Sequence, residues 1–389
     1  TTLLPPNRTE RMMAQMAAAH PGCAALADDQ SAAGPFPVMF LPDRPDNGSR
    51  ATRVPSIAAD HLAAIVYTSG STGVPQPSAK PWGKLVVGAH AEFAALGLAA
   101  GRAYNFLGTV PPQHMYGLES TVVMPMTIGG AIHPARPLLA LDVSRALESL
   151  PTPRVLVTTP IHIRACLATR VRLPPVELFV SAAAPLSREA AVQAERRYHT
   201  RLVELYGCSE AGVVAARRPT VSPAFRTMND IRLERQADQW LFTGGHVPGR
   251  VPVSDLLRQV GDDQFLLEGR ATDMINIAGK RASLGDLNHK LLEIPGVRDG
   301  AFYVPESPDG HVVRLAAFVV APGLSAARIL AALRRSIDSA FLPRPLVKVA
   351  RLPRAATGKL PLDAVRSLAA ETERVSPASG RRRRASRNG

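Results

Sequence analysis

A chain of 389 residues can hold roughly two to three domains around a large core. Hydrophobic residues make up 46% of it, but no run reaches the ~20 apolar residues of a membrane span and no signal peptide opens it, so a cytoplasmic protein without a membrane span is expected. Forty-six Lys and Arg against 32 Asp and Glu give a net charge of +14, with five arginines and no acid in the last stretch, "SGRRRRASRNG". Such a surface attracts acidic partners through its long-range field, whether nucleic acid, acidic lipid or an acidic protein, or is simply a solvated basic surface. Three cysteines, Cys23, Cys166 and Cys208, are odd in number and lack ligand spacing, which leaves no disulfide framework and no zinc site.

In chain order, "RTERMMAQMAAAH" has helical spacing, and "GPFPVMFLPDRPDNGSR" reads as turns around one short strand. From His61 to about Ala216, strand-like runs ("LAAIVYT", "YNFLGTV", "RVLVTT", "VELFVSA") alternate with helix-like ones ("HAEFAALGLAA", "DVSRALESL", "SREAAVQAERRY"). That alternation predicts a mostly parallel sheet covered by helices. Between Asn229 and Glu268 short strands and turns, with "GDD" as a hairpin signal, suggest a small antiparallel barrel. After Arg270 the pattern is α+β: a strand in "DMINIAG", a helix over 283–292 capped by Ser283, strands near "AFYVP" and "RLAAFVVAP", and one helix through "SAARILAALRRSIDSAF". The resulting division is an α/β domain over 1–271, a small α+β domain over 272–372, and a basic, disordered tail over 373–389.

One loop draws attention first. "YTSGSTGVPQPSAKPWGK", Tyr67 to Lys84, follows an apolar strand and offers Thr68, Ser69, Gly70, Ser71, Thr72 and Gly73. Glycines let backbone N–H groups converge on one point and the hydroxyls add donors, so a polyphosphate could be cradled there. A Ser/Gly turn between strand and helix is the plainer alternative. The loop lacks the G-x-x-x-x-G-K-[ST] order of a P-loop nucleotidase.

Three later segments, "VELYGCSEAG", "GRATDMINIAGKR" and "LPRAATGK", follow in an order that, with "YTSGSTGVP", resembles the adenylate-forming superfamily of acyl- and aryl-CoA synthetases, peptide-synthetase adenylation domains and luciferases. The resemblance runs from about Leu62 to Arg366. It implies the adenylate-forming enzyme fold, an α/β large domain with a barrel-like region followed by a small mobile one. It also implies a reaction in which a carboxylate and ATP give an acyl-adenylate and pyrophosphate, and the acyl group then passes to a thiol. Two anions must be brought within about 3.5 Å, which calls for positioning and neutralising charge.

On that resemblance Lys359 is the catalytic lysine bridging the carboxylate and the α-phosphate, a task suited to a flexible ammonium. Glu210 matches the Mg²⁺-binding glutamate and Ser209 the hydroxyl beside it; Tyr206 matches the aromatic beside adenine, with a buried structural tyrosine as the alternative. The rest of that motif, Glu204, Leu205, Gly207 and Cys208, is placed with the nucleotide. Asp255 in "VPVSDLL" matches the acceptor for both ribose hydroxyls, or is a turn residue, and Arg270 and Ile275 fall in the segment near ribose and phosphate. "VSAAAPLS" resembles a glycine-rich acid-pocket segment, with Ala182 and Ala183 where glycines are usual, followed by Ala184 and Pro185. His114 in "PPQHMYGLES" is expected at the mouth of the acid and thiol channels, or is a satisfied core histidine.

The departures are equally legible. Gln76 and Pro77 stand where the family has lysine and glycine, and Lys80 or Lys84 could approach pyrophosphate instead. Thr272, beside Asp273, occupies the hinge position, Asn276 replaces a common lysine, and only 66 residues precede Tyr67, which suggests a shortened N-terminal subdomain. Shortness and "PPQHMYGLE" resemble the small ligases of bacterial aryl-polyene and xanthomonadin pathways, which load a hydroxybenzoate on an acyl carrier protein. The implied partners are ATP/AMP, Mg²⁺, a small aryl acid, and CoA or the phosphopantetheine of an acidic carrier protein, with a fatty or aryl acyl-CoA synthetase as the near alternative. A catalytically idle protein of the same fold that holds nucleic acid or an acidic partner is the distant one; the joint presence of Glu210, Asp255, Arg270 and Lys359 argues against it.

Overall fold

The structure, a computed structural model, describes residues 2–3, 10–27, 36–40, 55–68, 76–237, 239–270, 274–277, 280–305, 314–354 and 360–375. Its centre is a nine-stranded mixed sheet. Asn105–Gly108, Arg154–Thr158, Leu178–Ser181 and Arg201–Cys208 run parallel in spatial sequence, with Ala131–Ile132 as a short parallel edge. From Arg201–Cys208 onward the sheet changes sense: Gly212–Arg217, Phe225–Thr227, Gln264–Arg270 and Asp255–Gly261 add antiparallel strands.

The parallel strands are nearly continuous apolar runs because both of their faces are covered. Side chains alternate along a strand, and the two cores sort accordingly. Phe106, Val155, Val157, Leu178, Val180, Val203 and Leu205 fill one core. Leu107, Leu156, Phe179 and Leu202 fill the other, under the helices Ala140–Glu148, Pro160–Ala168 and Arg188–Tyr198. Helix Trp82–Ala95 closes the first core with Leu85, Gly88, Ala89 and Glu92, the i, i+3, i+4, i+7 stripe of an amphipathic helix. A carboxylate thus sits in an apolar stripe.

Beside that helix, Met115–Leu118 and Met124–Ile128 are α-helical, and the five residues between them, Glu119–Val123, form a π-helical turn. Neither this turn nor the helix Pro160–Ala168 was predicted from the sequence. Gly117 is required at its position, because a Cβ there would lie 2.0 Å from the Pro111 carbonyl oxygen.

The expected antiparallel region divides between two sheets rather than closing on itself. Ile231–Gln236, Gln239–Gly244 and Arg250–Pro252 form a three-stranded sheet, while the hairpin turning at Asp262–Asp263 joins the large one. Strand Leu62–Thr68 pairs antiparallel with Gln76–Pro81, so the segment between them joins two strands and not a strand and a helix.

Beyond residue 280, Asp299–Tyr303, Ala316–Val320 and Leu346–Lys348 form a three-stranded sheet. Helices Leu284–Leu292 and Ala326–Leu333 pack on one face through Leu287, Leu291, Ile329 and Leu333, and Leu362–Val375 packs on the other through Val365. Ser283 caps the first of these helices by accepting from Gly285 N–H, and Ser325 caps the second. The second is shorter than its apolar period suggests: it ends at Leu333, and Asp338 then caps a separate 3₁₀ turn, Ser339–Phe341. Helix Leu362–Val375 runs two residues past the expected start of the tail; positions 376–389 lie outside the described residues.

Candidate active site

Ligands of open α/β sheets bind beyond the carboxyl ends of parallel strands, where the strand order or sense changes. Here that edge collects Thr109, Thr158, Ala182 and the loop from Tyr206 to Gly212. Thr109 Oγ1 and Thr158 Oγ1 lie 2.9 Å apart, and the buried Tyr116 hydroxyl shares its proton between the carbonyls of Val180 (2.9 Å) and Thr158 (3.1 Å). Three strand ends are thereby fixed relative to one another.

Two predicted residues meet directly. Tyr206 Oη donates to Asp255 Oδ2 at 2.6 Å across the sheet. The Tyr206 ring also packs against Phe225, Phe242 and Phe265, with centroids 5.4 to 6.1 Å apart. It is both a packed aromatic and the group that aims Asp255. Asp255 pairs in register with Arg270, whose backbone alone is described.

Within "VELYGCSEAG" the side chains divide. Leu205 is core, and Glu204 is buried, bonded through Oε2 to Arg217 (2.6 and 2.7 Å) and through Oε1 to Leu186 N–H (3.0 Å). Burial raises its carboxyl while Arg217 pulls it down. Cys208 is exposed as a residue but shelters its sulfur, which accepts Ala211 N–H at 3.4 Å; burial above all, with the neighbouring Glu210 charge, lifts the thiol to about 11. Gly207 could carry no side chain, since a Cβ would meet the Gly212 carbonyl oxygen at 2.2 Å. Glu210 itself is exposed.

Ala183 adopts φ +72°, the left-handed region, and Ala184 and Pro185 follow it on the same edge. A side chain there costs about 1 kcal/mol or more relative to glycine, and strain of this kind collects at ligand sites. His114 precedes the helix Met115–Leu118 as its N-terminal flank. Ile275 packs against the small core of the later residues.

The charges beneath the loop were not foreseen. Lys80, expected as a substitute for the missing loop lysine, is 5% exposed and donates to the Glu210 carbonyl at 3.0 Å. Lys84 donates to the carbonyls of Gly245 (2.9 Å) and Val247 (3.4 Å). Both ammonium groups are committed to backbone, so neither is arranged to swing toward pyrophosphate. Glu119, 2% exposed, accepts Val213 N–H at 3.0 Å, and His246 Nε2 lies 2.9 Å from the Val213 carbonyl oxygen. Burial lifts Glu119 to about 7 against the pull of Lys80, and lifts Glu92 to about 8. Burial in turn lowers Lys80, which the Glu119 charge opposes. A cavity of only ≈ 10 Å³ lies between Lys80, Glu119, Ala211 and His246, room for about one water. The signals available in the sequence were the same-face pair Ser78 and Lys80 on a strand and Glu92 within an apolar helical stripe.

Ser69, Gly70, Ser71, Thr72, Gly73, Thr272, Asp273 and Lys359 lie outside the described residues, as do the side chains of Thr68, Gln76 and Asn276. Thr68 and Gln76 are paired in register on either side of the glycine-rich stretch. No group of three or more His, Cys, Asp or Glu that could hold a metal occurs among the described residues, and no described helix is long and apolar enough to cross a membrane.

Comparison with known proteins gives this geometry a context. The family described as AMP-binding enzyme matches residues 6–235. A 4-coumarate–CoA ligase of Rhodobacter capsulatus is 31% identical over 276 residues, 71% of this chain and 68% of that protein. The fatty acid–[acyl-carrier-protein] ligase MmaC of Mycobacterium marinum is 32% identical over 121 residues, 29% of this chain and 23% of that protein. Among solved structures, a benzoate CoA ligase from Burkholderia xenovorans LB400 superimposes with a TM-score of 0.76 at 17% identity, covering 94% of this chain and 84% of that one, so the two share the adenylate-forming fold. With more than half of its length inside the family match, the chain belongs to the AMP-binding enzymes.

Proposed function

We propose that the protein is an ATP-dependent acid–thiol ligase that forms an acyl- or aryl-adenylate and pyrophosphate and passes the acyl group to a phosphopantetheine thiol. The observation that carries this reading is the Tyr206–Asp255 bond at the carboxyl edge of the parallel strands, one turn of loop away from Ser209 and Glu210. A carboxylate has acceptor sites for more than one donor, which suits the two hydroxyls of a ribose. Ser209 and the glycine-rich stretch from Thr68 to Gly73 would contact phosphate, Ala182 to Pro185 would border adenine and the acid, and His114 would stand at the channel mouth.

Glu210 fits a Mg²⁺ site of the kind that one carboxylate, phosphate oxygens and waters complete, because its carboxylate is exposed while Lys80 takes only its carbonyl. The bound ion would neutralise phosphate charge. Lys359 would bridge the acid and the α-phosphate.

For substrate we favour an aryl acid, 4-hydroxybenzoate or a relative, loaded on an acyl carrier protein; the +14 chain complements an acidic carrier. CoA is the competing acceptor. Pyrophosphate exchange over a panel of benzoic, cinnamic and fatty acids tests the reaction, and product analysis with CoA or carrier protein tests the acceptor. Acid-dependent exchange that collapses in Lys359→Ala is expected. No exchange with any acid would overturn the reading.

A further inference from the structure

Ser78 and Lys80 alternate along the strand Gln76–Pro81 and therefore face the same way. Both reach the loop that carries the candidate metal glutamate, and both bond its backbone: Ser78 Oγ donates to the Ser209 carbonyl at 3.3 Å, and Lys80 Nζ donates to the next carbonyl, that of Glu210, at 3.0 Å. From the other side Glu119 Oε2 accepts Val213 N–H, and a Cβ on Gly212 would fall 2.5 Å from Glu119 Oε1. Gly212 has φ +82°, so neither strain nor space admits a side chain there. Lys80 and Glu119, both buried, bond the backbone within and just after one five-residue turn, Cys208–Gly212.

We propose that Lys80 is a positioning residue of the adenylation site: supported by Glu119 and seconded by Ser78, it locks the Cys208–Gly212 turn to the strand that leaves the glycine-rich loop, and so fixes Ser209 and Glu210 relative to the phosphates. The proposal rests on the ligase reading for its catalytic consequence but not for the lock itself. Bonding carbonyls leaves the Ser209 hydroxyl and the Glu210 carboxylate for ligand. It also explains why a lysine near the loop is buried rather than reaching out: its charge is used under the turn. Ordering of a ligand group by a buried partner typically matters by about tenfold or more.

The test uses the full chain and three variants. Lys80→Met removes the donor. Lys80→Met/Glu119→Gln removes it without leaving a lone buried carboxylate, while the glutamine can still accept Val213 N–H. Ser78→Ala removes the second tie. Hydrogen exchange of the Cys208–Gly212 amides is expected to quicken about tenfold in the Lys80 variants and about threefold in Ser78→Ala, with the rest of the sheet unchanged. In pyrophosphate exchange the Mg²⁺ concentration for half-maximal rate should rise about tenfold in the double variant while the KM for the acid stays put. Unchanged amide exchange in a folded double variant would overturn the lock. If neither Lys80 variant folds, unchanged exchange in Ser78→Ala does so. Quickened amide exchange with unchanged Mg²⁺ dependence would refute the positioning role alone. A protected turn in a wild-type protein that activates no acid would sink the ligase reading and leave the lock standing.

Discussion

The Tyr206 hydroxyl and the Asp255 carboxylate, 49 positions apart, meet at 2.6 Å where the parallel half of the sheet gives way to the antiparallel half. The bond orients the carboxylate that the ligase reading assigns to ribose. Tyr206→Phe keeps the ring among Phe225, Phe242 and Phe265 and removes only the donor. The KM for ATP in pyrophosphate exchange should rise about tenfold with little change in kcat, the effect of one hydrogen bond to a charged group. Asp255→Ala should cost far more.

Ala183 is a test of backbone strain. At φ +72° glycine is at ease and alanine is not, so Ala183→Gly should raise stability in urea by up to ~1 kcal/mol, although glycine ordinarily costs about that much through the unfolded chain. A loss of stability would show that the left-handed conformation is not populated.

Glu204→Ala should be strongly destabilising. It removes the carboxylate partner of the Arg217 guanidinium, 13% exposed, which keeps the Pro223 carbonyl and the Phe225 ring but no counter-charge among the described residues there, and leaves Leu186 N–H without its acceptor. Breaking a buried pair from one side costs about 3–5 kcal/mol, read as a lower urea midpoint at unchanged slope.

Glu92 supplies a pH signature. Burial holds its carboxyl at about 8, whereas an unfolded glutamate titrates near ~4.3. Folded protein therefore binds a proton that the unfolded chain has released, and the resulting stability, complete below the unfolded value, is lost as pH rises toward 8. Glu119, held at about 7, adds a slope of the same sign that ends lower. Glu92→Gln stays neutral throughout. Its stability relative to wild type should grow from pH 5 to pH 9 by an amount on the order of 3 kcal/mol, measured by urea unfolding at each pH. A constant difference would mean that Glu92 is not buried as described.

Much of the architecture could be read from the chain because it rests on local periodicity. The runs "RVLVTT" and "VELFVSA" became neighbouring parallel strands, and Ser187, Ser283 and Ser325 stand at helix starts where their hydroxyls cap. What escaped reading depends on distance in space. No periodicity tells that Lys80 meets a carbonyl 130 positions later, or that Gln264–Arg270 joins the large sheet instead of a separate barrel. Lys80 and Lys84 were expected near phosphate because they follow a glycine-rich loop; pairing of the strand Gln76–Pro81 with Leu62–Thr68 carries Lys80 inward to a backbone carbonyl, and Lys84, in the first turn of the helix that follows, bonds two others. The motif residues were read as a set, but Glu204 and Leu205 show that adjacency in a motif does not imply a shared direction.

The π-helical turn at Glu119–Val123 has a further consequence. It holds one residue more than an α-helical turn needs, so the chain before and after it is out of step by about 100°. Deleting a single residue there would restore the α-helical phase only as far as Pro125, which has no N–H to donate and crowds the carbonyl four residues before it, and Tyr116 and Met124 could no longer both face their present neighbours. The surplus residue works as a rotational offset: it lets one helix present Tyr116 to the strand ends and Glu119 to the turn below Glu210 while still delivering Met124 to the core. Insertions and deletions within these five positions should be far less tolerated than substitutions of similar size.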